Sequence, residues 1–292
     1  MTKILITGTN SFLGKNFIRH SKYKDVDEIS LLERKPEEIN FYQYKIVIHL
    51  AAIVHQTNKI SESSYYEINR DLCLRVAENA KKSGVKQFIF MSTVKVYGKN
   101  ITNLYPLNED SPCKPVDFYG KSKFEAELGL KKLENDNFVI SIIRTPLVYG
   151  EGVKANMYSI LKLVDKYSIL PFGKVYNRRS FTFVENIVAY IDRIIEKKAS
   201  GTFIAMDENP LSTTELINYI SMFLGKKMHL FKVPDFLMKI SYFVFPGIIS
   251  RLYGSLEFDN RKTLEKLNFK PPYSSEEGIR SMVMAYRKST SK

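Results

Sequence analysis

The chain has 292 residues, of which 44% are hydrophobic, so it is long enough to bury a sizeable core in one large or two medium domains. Its net charge of +13 would suit a polyanionic partner, but the lysines are spread along predicted helices, with no basic block, zinc-finger spacing or RNP motif. We predict a solvated basic face, with attraction of phosphate-bearing small substrates as the alternative, and no nucleic-acid partner. The two cysteines and four histidines lack metal-ligand spacing, so no metal site is predicted.

The N-terminus leads directly into the apolar run Ile4-Leu5-Ile6, which leaves no room for a signal peptide. No apolar run reaches membrane-spanning length. We therefore expect a cytoplasmic protein without an integral membrane segment.

The first predicted unit is a strand at residues 3–7, a glycine turn, a helix at 15–21 and a strand at 28–32. A turn between a strand and a helix exposes backbone N–H groups at the helix N-terminus, where a pyrophosphate can bind, although such turns also serve simple strand–helix packing. Ser11 stands where a three-glycine version of this turn has its middle glycine. The predicted cofactor-binding residues of the turn are Gly8, Asn10, Ser11, Phe12, Leu13 and Gly14.

Two charged residues follow the second predicted strand. Glu33 lies nineteen residues after Gly14, where a carboxylate can accept the ribose hydroxyls of NAD, whereas Arg34 could meet the 2′-phosphate of NADP. NAD is modestly favoured over NADP. Residues 34–44 are too few for a complete helix and a further strand, so this edge of the predicted sheet is trimmed.

The next buried strands are predicted at residues 45–52 and 87–92, with a helix at 68–83 between them. Ligands bind beyond the carboxyl ends of parallel strands. Leu50, Ala51 and Ala52 therefore provide a bed for the cofactor, and Thr93 offers a hydroxyl. His55 is interpreted as a substrate-pocket residue or as a plain loop residue.

A helix is predicted from Tyr119 to about residue 133. Residues four apart share a helix face, so the Tyr119 phenol and the Lys123 ammonium project together, and a neighbouring cation tunes a phenol toward acid/base chemistry. The alternative is an ordinary helix start after a Pro-rich loop.

In the second half of the chain a strand at residues 138–144 precedes a helix at Ala155–Lys166. A helix at 181–196 and a strand at 201–207 return the chain to the sheet, and a capped helix follows at 212–224. The basic sequence Asn177-Arg178-Arg179-Ser180 is either surface or a grip for a diphosphate. The apolar stretch 236–253 is predicted as a packed helical element near the site, with a membrane-surface helix as the alternative.

Five motifs in order resemble those of extended short-chain dehydrogenases/reductases that act on nucleotide sugars. They are Thr7-Gly8-x-x-x-x-x-Gly14, His49-Leu50-Ala51-Ala52, Ser92-Thr93-x-x-Val96-Tyr97-Gly98, Tyr119-x-x-x-Lys123 and Arg144-Thr145-Pro146-Leu147-Val148-Tyr149-Gly150. The resemblance implies an α/β fold, a Rossmann-type doubly wound parallel sheet with a smaller C-terminal substrate domain. The implied cofactor domain is residues 1–150 plus about 182–208, and the implied substrate domain is 151–181 and 209–292. It also implies a homodimer formed through the helix that bears Tyr119 and the helix before it.

The same resemblance implies roles for individual residues. Tyr119 would be the acid/base at the sugar C4 oxygen, Thr93 would hydrogen-bond that oxygen, and Lys123 would hold the nicotinamide ribose and depress the Tyr119 pKa. Pro146 would contact the cofactor, Lys95 the substrate, and Asn156 and Arg179 the nucleotide diphosphate.

Among the reactions of this family, a 4,6-dehydratase is disfavoured because Val94 and Lys95 follow Thr93 where that enzyme has Asp-Glu. Two reactions remain. A 4-keto reductase acting on a UDP-4-keto-6-deoxy-N-acetylhexosamine, for surface polysaccharide, is favoured by similarities around 152–156, 177–180 and 251–256. A UDP-sugar 4-epimerase is the alternative. The alternative of another class is a non-catalytic dinucleotide-binding sensor.

Overall fold

The computed structural model describes residues 2–54, 60–98 and 106–290. Its first half alternates strands with helices and ends in the long strand that precedes the predicted substrate region. The elements are β1 (Ile4–Thr7), α1 (Phe12–His20), β2 (Val26–Ile29), β3 (Ile46–His49), α2 (Glu62–Tyr66), α3 (Cys73–Lys82), β4 (Gln87–Thr93), α4 (Phe118–Leu133) and β5 (Val139–Thr145).

The second half contains shorter strands and the remaining helices of the described chain. Its elements are β6 (Leu147–Tyr149), α5 (Ala155–Lys166), β7 (Ile169–Leu170), β8 (Phe181–Phe183), α6 (Val184–Lys197), β9 (Gly201–Ile204), α7 (Thr213–Leu224), β10 (His229–Leu230), α8 (Asp235–Val244), α9 (Pro246–Tyr253), α10 (Arg261–Leu267) and α11 (Ser275–Thr290).

The main sheet has six strands in the order β2-β1-β3-β4-β5-β9, and every pairing in it is parallel. Hydrophobic clusters cover both faces. Phe17 of α1 and Ile187 of α6 pack on one face, and Val76 of α3 and Ala126 of α4 pack on the other. The predicted doubly wound α/β fold is therefore confirmed.

One edge of the main sheet is formed by β2. A six-stranded doubly wound sheet commonly continues with a third strand outside the second one. Here the segment between β2 and β3 contains only a single 3₁₀ turn at Pro36–Glu38 as regular structure. The predicted trimming is confirmed, and it leaves β2 as an edge strand.

A separate hydrophobic cluster lies beyond the sheet. It joins α5, α7 and α11 to the small β6–β8 sheet, through residues such as Met157, Ile217 and Ile279. Phe12 and Leu13 of α1 pack against the same cluster, so the glycine turn lies between the sheet and the C-terminal elements. The predicted domain boundaries remain predictions.

Several predicted elements differ in their bounds. The helix predicted at 15–21 begins at Phe12, the strands predicted at 45–52 and 201–207 end at His49 and Ile204, and the first three residues of the helix predicted at 181–196 form β8. β2 ends at Ile29, earlier than predicted, and residues 31–34 form a turn because the edge strand has no outer neighbour to extend it. The helix predicted at 68–83 begins at Glu62 and passes through a π-helical stretch at Glu67–Leu72.

The prediction of a packed helical element at residues 236–253 is wrong for its first part. Phe236, Ile240 and Phe243 of α8 are 64%, 57% and 89% exposed, because α8 packs mainly against α9 and not against the body of the protein. Within the described ranges, no helix has the length and apolar character needed to cross a bilayer.

Candidate active site

The candidate site lies at the carboxyl edge of the main sheet, where β1, β3, β4 and β5 end. The register places Thr7 beside His49, and Thr93 beside Thr145. Parallel strands bring their carboxyl ends to one edge, so the loops that follow these four strands meet there. His55 lies outside the described residues.

Gly8 allows the loop after β3 to approach the glycine turn. Its φ of +106° lies in the region that favours glycine, and a Cβ there would come within 2.8 Å of the Ala51 backbone nitrogen. Ala51 and Ala52, which are predicted to contact the cofactor, are half-buried in the loop after β3. Asn10, with φ of 58°, completes the turn.

Ser11 has a structural role that its sequence position did not reveal. It caps α1, and its hydroxyl accepts a hydrogen bond from the Gly14 N–H at 3.0 Å. The N–H groups of Phe12 and Leu13 have no partner within the helix, as is general for a first helical turn. The turn therefore fits a dinucleotide pyrophosphate, with the N–H groups of the first turn available to its oxygens.

A carboxylate that the sequence did not single out stands beside this turn. Glu28 Oε1 is buried without a hydrogen-bond partner in the structure as described, and burial raises the pKa of its carboxyl group. A Cβ on Gly14 would lie 2.7 Å from this oxygen. Glu28 is thus a second acidic candidate for the cofactor side of the site, in addition to Glu33.

Glu33 and Arg34 are exposed in the turn after β2. Both line a cavity of about 560 Å³, together with Pro36, Leu72 and Arg75. The predicted residues for the adenosine end of the cofactor therefore share one cavity wall. Because Glu33 suits a ribose hydroxyl and Arg34 suits a 2′-phosphate, the charges of this wall fit both NAD and NADP.

Thr93 and Tyr119 meet although β4 and α4 are separated by a long loop. The Thr93 hydroxyl is close enough to the Tyr119 phenol to lower the pKa of that phenol. α4 begins just before Tyr119 because the Asp117 carboxylate caps it, accepting from the Gly120 N–H at 2.7 Å. Lys95 approaches from the 3₁₀ turn after β4, with its Nζ 2.8 Å from Asp117 Oδ2 and 5.4 Å from the Tyr119 ring centroid.

The electrostatics of the Tyr119–Lys123 pair differ from the expectation. Burial raises the pKa of Tyr119 to about 12, against the smaller lowering effect of the Thr93 hydroxyl. Burial also lowers the pKa of Lys123 to about 8, and its Nζ lies 4.1 Å from the Phe90 ring centroid. Without a bound ligand the phenol is therefore protonated at neutral pH, and the predicted depression of its pKa by Lys123 is not seen.

A buried ion pair behind the site was not predicted. Arg144 of β5 and Glu127 of α4 form two hydrogen bonds, of 2.6 and 3.1 Å, and both side chains are almost fully buried. Ser92 also donates to Glu127, and Arg144 donates to the Tyr97 hydroxyl at 2.8 Å. The network ties α4 to the ends of β4 and β5. An arginine within a predicted buried strand was the available sequence signal, because a buried charge requires a partner.

A second buried polar contact fixes the loop after β3. The Asn69 side chain accepts from the Ile53 N–H at 2.8 Å and donates to the Ile53 carbonyl and to Ser122 Oγ, each at 3.1 Å. Asn69 lies in the π-helical stretch, a feature often found at functional sites. It therefore positions the loop after β3 against α4.

The predicted diphosphate residues lie in the C-terminal elements. Arg179 is half-buried and donates to the Gly254 carbonyl at 2.8 Å, and burial together with the nearby charge of Arg251 lowers the pKa of its guanidinium. Two cations held close together favour an anionic ligand, and Arg251 was not predicted in this role. Asn156 is exposed in the first turn of α5. In the described part of the chain, neither Asn156 nor Arg179 hydrogen-bonds to Thr93, Tyr119 or Lys123. Pro146 is buried directly after β5.

The relationship to known proteins agrees with this geometry. Residues 4–204 match the model of the NAD dependent epimerase/dehydratase family. The chain belongs to this family. The predicted family is thus confirmed, and with it the prediction of a dinucleotide-dependent enzyme rather than a non-catalytic sensor.

Two relatives in this family span nearly the whole chain. UDP-glucose 4-epimerase of Vibrio cholerae is 33% identical, over 97% of this chain and 95% of its own length. N-acetyl-alpha-D-glucosaminyl-diphospho-ditrans,octacis-undecaprenol 4-epimerase of Escherichia coli O157:H7 is 27% identical, over 95% of this chain and 89% of its own length.

Solved structures of other proteins have the same fold at low identity. UDP-glucuronic acid 4-epimerase from Bacillus cereus, in complex with NAD, superposes with a TM-score of 0.76 at 19% identity, over 98% of this chain and 99% of that one. dTDP-4-dehydrorhamnose reductase from Bacillus anthracis, in complex with NADP, gives 0.75 at 21% identity, over 97% and 99%. At these identities the likeness shows the fold alone.

Proposed function

We propose that the protein transfers hydride at C4 of a UDP-sugar, and that its reaction is reduction of a UDP-4-keto-6-deoxy-N-acetylhexosamine for surface polysaccharide. The neighbouring hydroxyl groups of Thr93 and Tyr119 carry this proposal, because they lie at the carboxyl edge of the sheet, where a sugar oxygen can accept a hydrogen bond from each. The presence of Thr93, Tyr119 and Lys123 together favours catalysis over simple dinucleotide binding.

In this proposal each residue has one task. Bound NADH or NADPH, with NADH favoured, would supply the hydride that C4 accepts and would be left as NAD or NADP. Tyr119 donates the proton to the C4 oxygen, which suits a phenol whose pKa of about 12 keeps it protonated at neutral pH. Thr93 hydrogen-bonds the same oxygen and Lys123 holds the nicotinamide ribose. Lys95 and His55 contact the sugar, and Arg179, Arg251 and Asn156 contact the diphosphate.

The trimmed sheet edge favours a reductase over an epimerase. With no strand outside β2, Glu33 and Arg34 lie exposed in a turn on the adenosine side of the predicted cofactor site. Fewer contacts there suit a cofactor that leaves after each turnover, as reduction requires. An epimerase returns the hydride from the same bound NAD and gains nothing from rapid exchange.

The second candidate is 4-epimerisation, favoured by the likeness to the V. cholerae UDP-glucose 4-epimerase. The E. coli relative is named for a sugar linked through a diphosphate to a polyprenol. Such a substrate would present the same diphosphate to Arg179, so it belongs among the substrates assayed for epimerisation.

One assay distinguishes the two reactions. The purified protein is incubated with NADH or NADPH and a UDP-4-keto-6-deoxy-N-acetylhexosamine, and separately with UDP-galactose, UDP-N-acetylglucosamine or the polyprenol-linked sugar without added cofactor. We expect stoichiometric oxidation of the reduced cofactor in the first reaction. Interconversion of 4-epimers without cofactor consumption would instead identify an epimerase.

A further inference from the structure

The helix pair α8–α9 carries an exposed apolar surface that the proposed hydride transfer does not use. Phe236, Ile240 and Phe243 recur at intervals of four and three residues, so they share one face of α8. The surface extends over neighbouring exposed side chains: Phe231, Leu237, Tyr242, Val244 and Phe245. We call these eight residues the apolar patch. Contiguous apolar surfaces of this kind mark interaction sites.

The C-terminal end of α9, next to the apolar patch, is hydrogen-bonded to the body of the protein. Tyr253, at the end of α9, donates to the Pro171 carbonyl, and the Leu252 carbonyl accepts from Asn177 Nδ2 at 3.2 Å. Among the described side chains of α8, none hydrogen-bonds to the body of the protein, and α8 packs mainly against α9. The C-terminal end of α9 is therefore fixed to the body while α8 projects its aromatic side chains to solvent.

The charge around the patch is positive. Residues 226–253 contain five lysines and arginines and a single acidic residue, Asp235. Lys226 is paired with Asp165, but Lys227, Lys239 and Arg251 are exposed, and Lys239 lies within the apolar segment itself. Aromatic side chains flanked by cations are typical of helices that lie in the interface of an anionic bilayer.

The dimensions indicate a helix that lies on a membrane and does not cross it. α8 has 10 residues and α9 has 8. At about 1.5 Å per residue neither helix approaches the roughly 30 Å of a hydrocarbon core. We propose that the apolar patch docks the protein on an anionic lipid surface, with the side chains of α8 inserted at the headgroup level and the rest of the chain outside the bilayer.

This orientation brings the diphosphate residues close to the membrane. Arg179 hydrogen-bonds to Gly254, which directly follows α9, and Arg251 lies within α9. The anchored end of the docking helices is therefore part of the wall of the proposed diphosphate site. Docking would place that site beside the bilayer surface, whichever of the two C4 reactions occurs there.

Vesicle flotation of the full chain tests the proposal. We expect the protein to float with phosphatidylcholine vesicles that contain phosphatidylglycerol, to float less with pure phosphatidylcholine vesicles, and to be released as ionic strength rises. Phe243→Asn should reduce the vesicle partition coefficient about tenfold, and Phe236→Asn/Phe243→Asn should reduce it further. Lys239→Glu should weaken binding to anionic vesicles specifically.

The matched control is Tyr42→Asn, which removes an aromatic side chain that is 76% exposed at a distance from α8 in the fold. It should leave flotation unchanged. The proposal is overturned if wild-type protein does not float with anionic vesicles, or if Tyr42→Asn reduces flotation as much as Phe243→Asn. It is also overturned if Phe243→Asn changes only the oligomeric state, since the patch would then be a contact between subunits.

Discussion

At the scale of single residues, Tyr119 and Lys123 show that two residues on one helix face need not alter each other's pKa. The four-residue spacing predicts that both side chains project the same way, and both residues lie in the single helix α4. Yet Lys123 turns toward the sheet, over Phe90, where burial lowers its own pKa to about 8. The four-residue spacing predicts the side of the helix from which a side chain projects. How deeply the Lys123 side chain is buried depends on tertiary packing, which the local sequence does not reveal.

Lys123 should consequently reduce the stability of the ligand-free protein. At pH 7 the native state pays for burying the charged ammonium, and we expect Lys123→Met to raise the free energy of unfolding by about 2 kcal/mol. Between the lowered native pKa of about 8 and the unfolded value of 10.5, only the unfolded chain keeps the proton, so wild-type stability rises with pH there. The gain from Lys123→Met should therefore shrink as pH rises through this window.

Urea unfolding of both proteins at pH 7 and pH 10 measures this difference. Lys132→Met, which removes an exposed ammonium from the same helix, is the control and should change stability little at either pH. A destabilised Lys123→Met protein at pH 7 would show that the ammonium is stabilised in the native state.

At the scale of elements, α4 is held in place by the Glu127–Arg144 pair as well as by its apolar face. Both side chains are buried, at 0% and 3% exposure, so removing one leaves the other charge without compensation. We expect Glu127→Gln to lower the free energy of unfolding by about 3 kcal/mol and to reduce activity by displacing Tyr119 from Thr93. Chemical denaturation and the initial rate of hydride transfer measure the two effects.

The control for this variant is Glu257→Gln, which breaks the more exposed pair with Arg178. A surface ion pair contributes about 1 kcal/mol or less. Equal losses of stability in the two variants would mean that the buried pair is no more important than the exposed one.

Much of the fold was predictable from the sequence because it depends on local patterns. Continuous apolar runs indicated β3 and β4, and the Ser212 cap indicated α7. Long-range contacts were not predictable in the same way. The exposure of Phe243 depends on where the end of α9 is anchored, and the position of Glu28 depends on the register of β2 against β1.

At the scale of the whole molecule, the parallel sheet explains why distant motifs form one site. The glycine turn, Ala51 and Pro146 each follow a strand, and Thr93 ends one, and the carboxyl ends of these strands lie at the same edge. The sequence order of these motifs was therefore sufficient to predict that they lie at one edge of the sheet. The sugar, the choice between NAD and NADP, the homodimer and the cytoplasmic location remain predictions, as do the roles of the individual site residues.

The central claim, hydride transfer at a sugar C4 with Tyr119 as the proton donor, is tested most directly by following deuterium. Wild-type protein and Tyr119→Phe are incubated with a UDP-4-keto-6-deoxy-N-acetylhexosamine and NADH that carries deuterium at its transferable position. We expect one deuterium at C4 of the wild-type product, and a rate reduced about 10²- to 10⁴-fold in Tyr119→Phe, because the phenol proton is lost. No deuterium at C4 from the wild-type protein, or an undiminished rate in Tyr119→Phe, would contradict the claim.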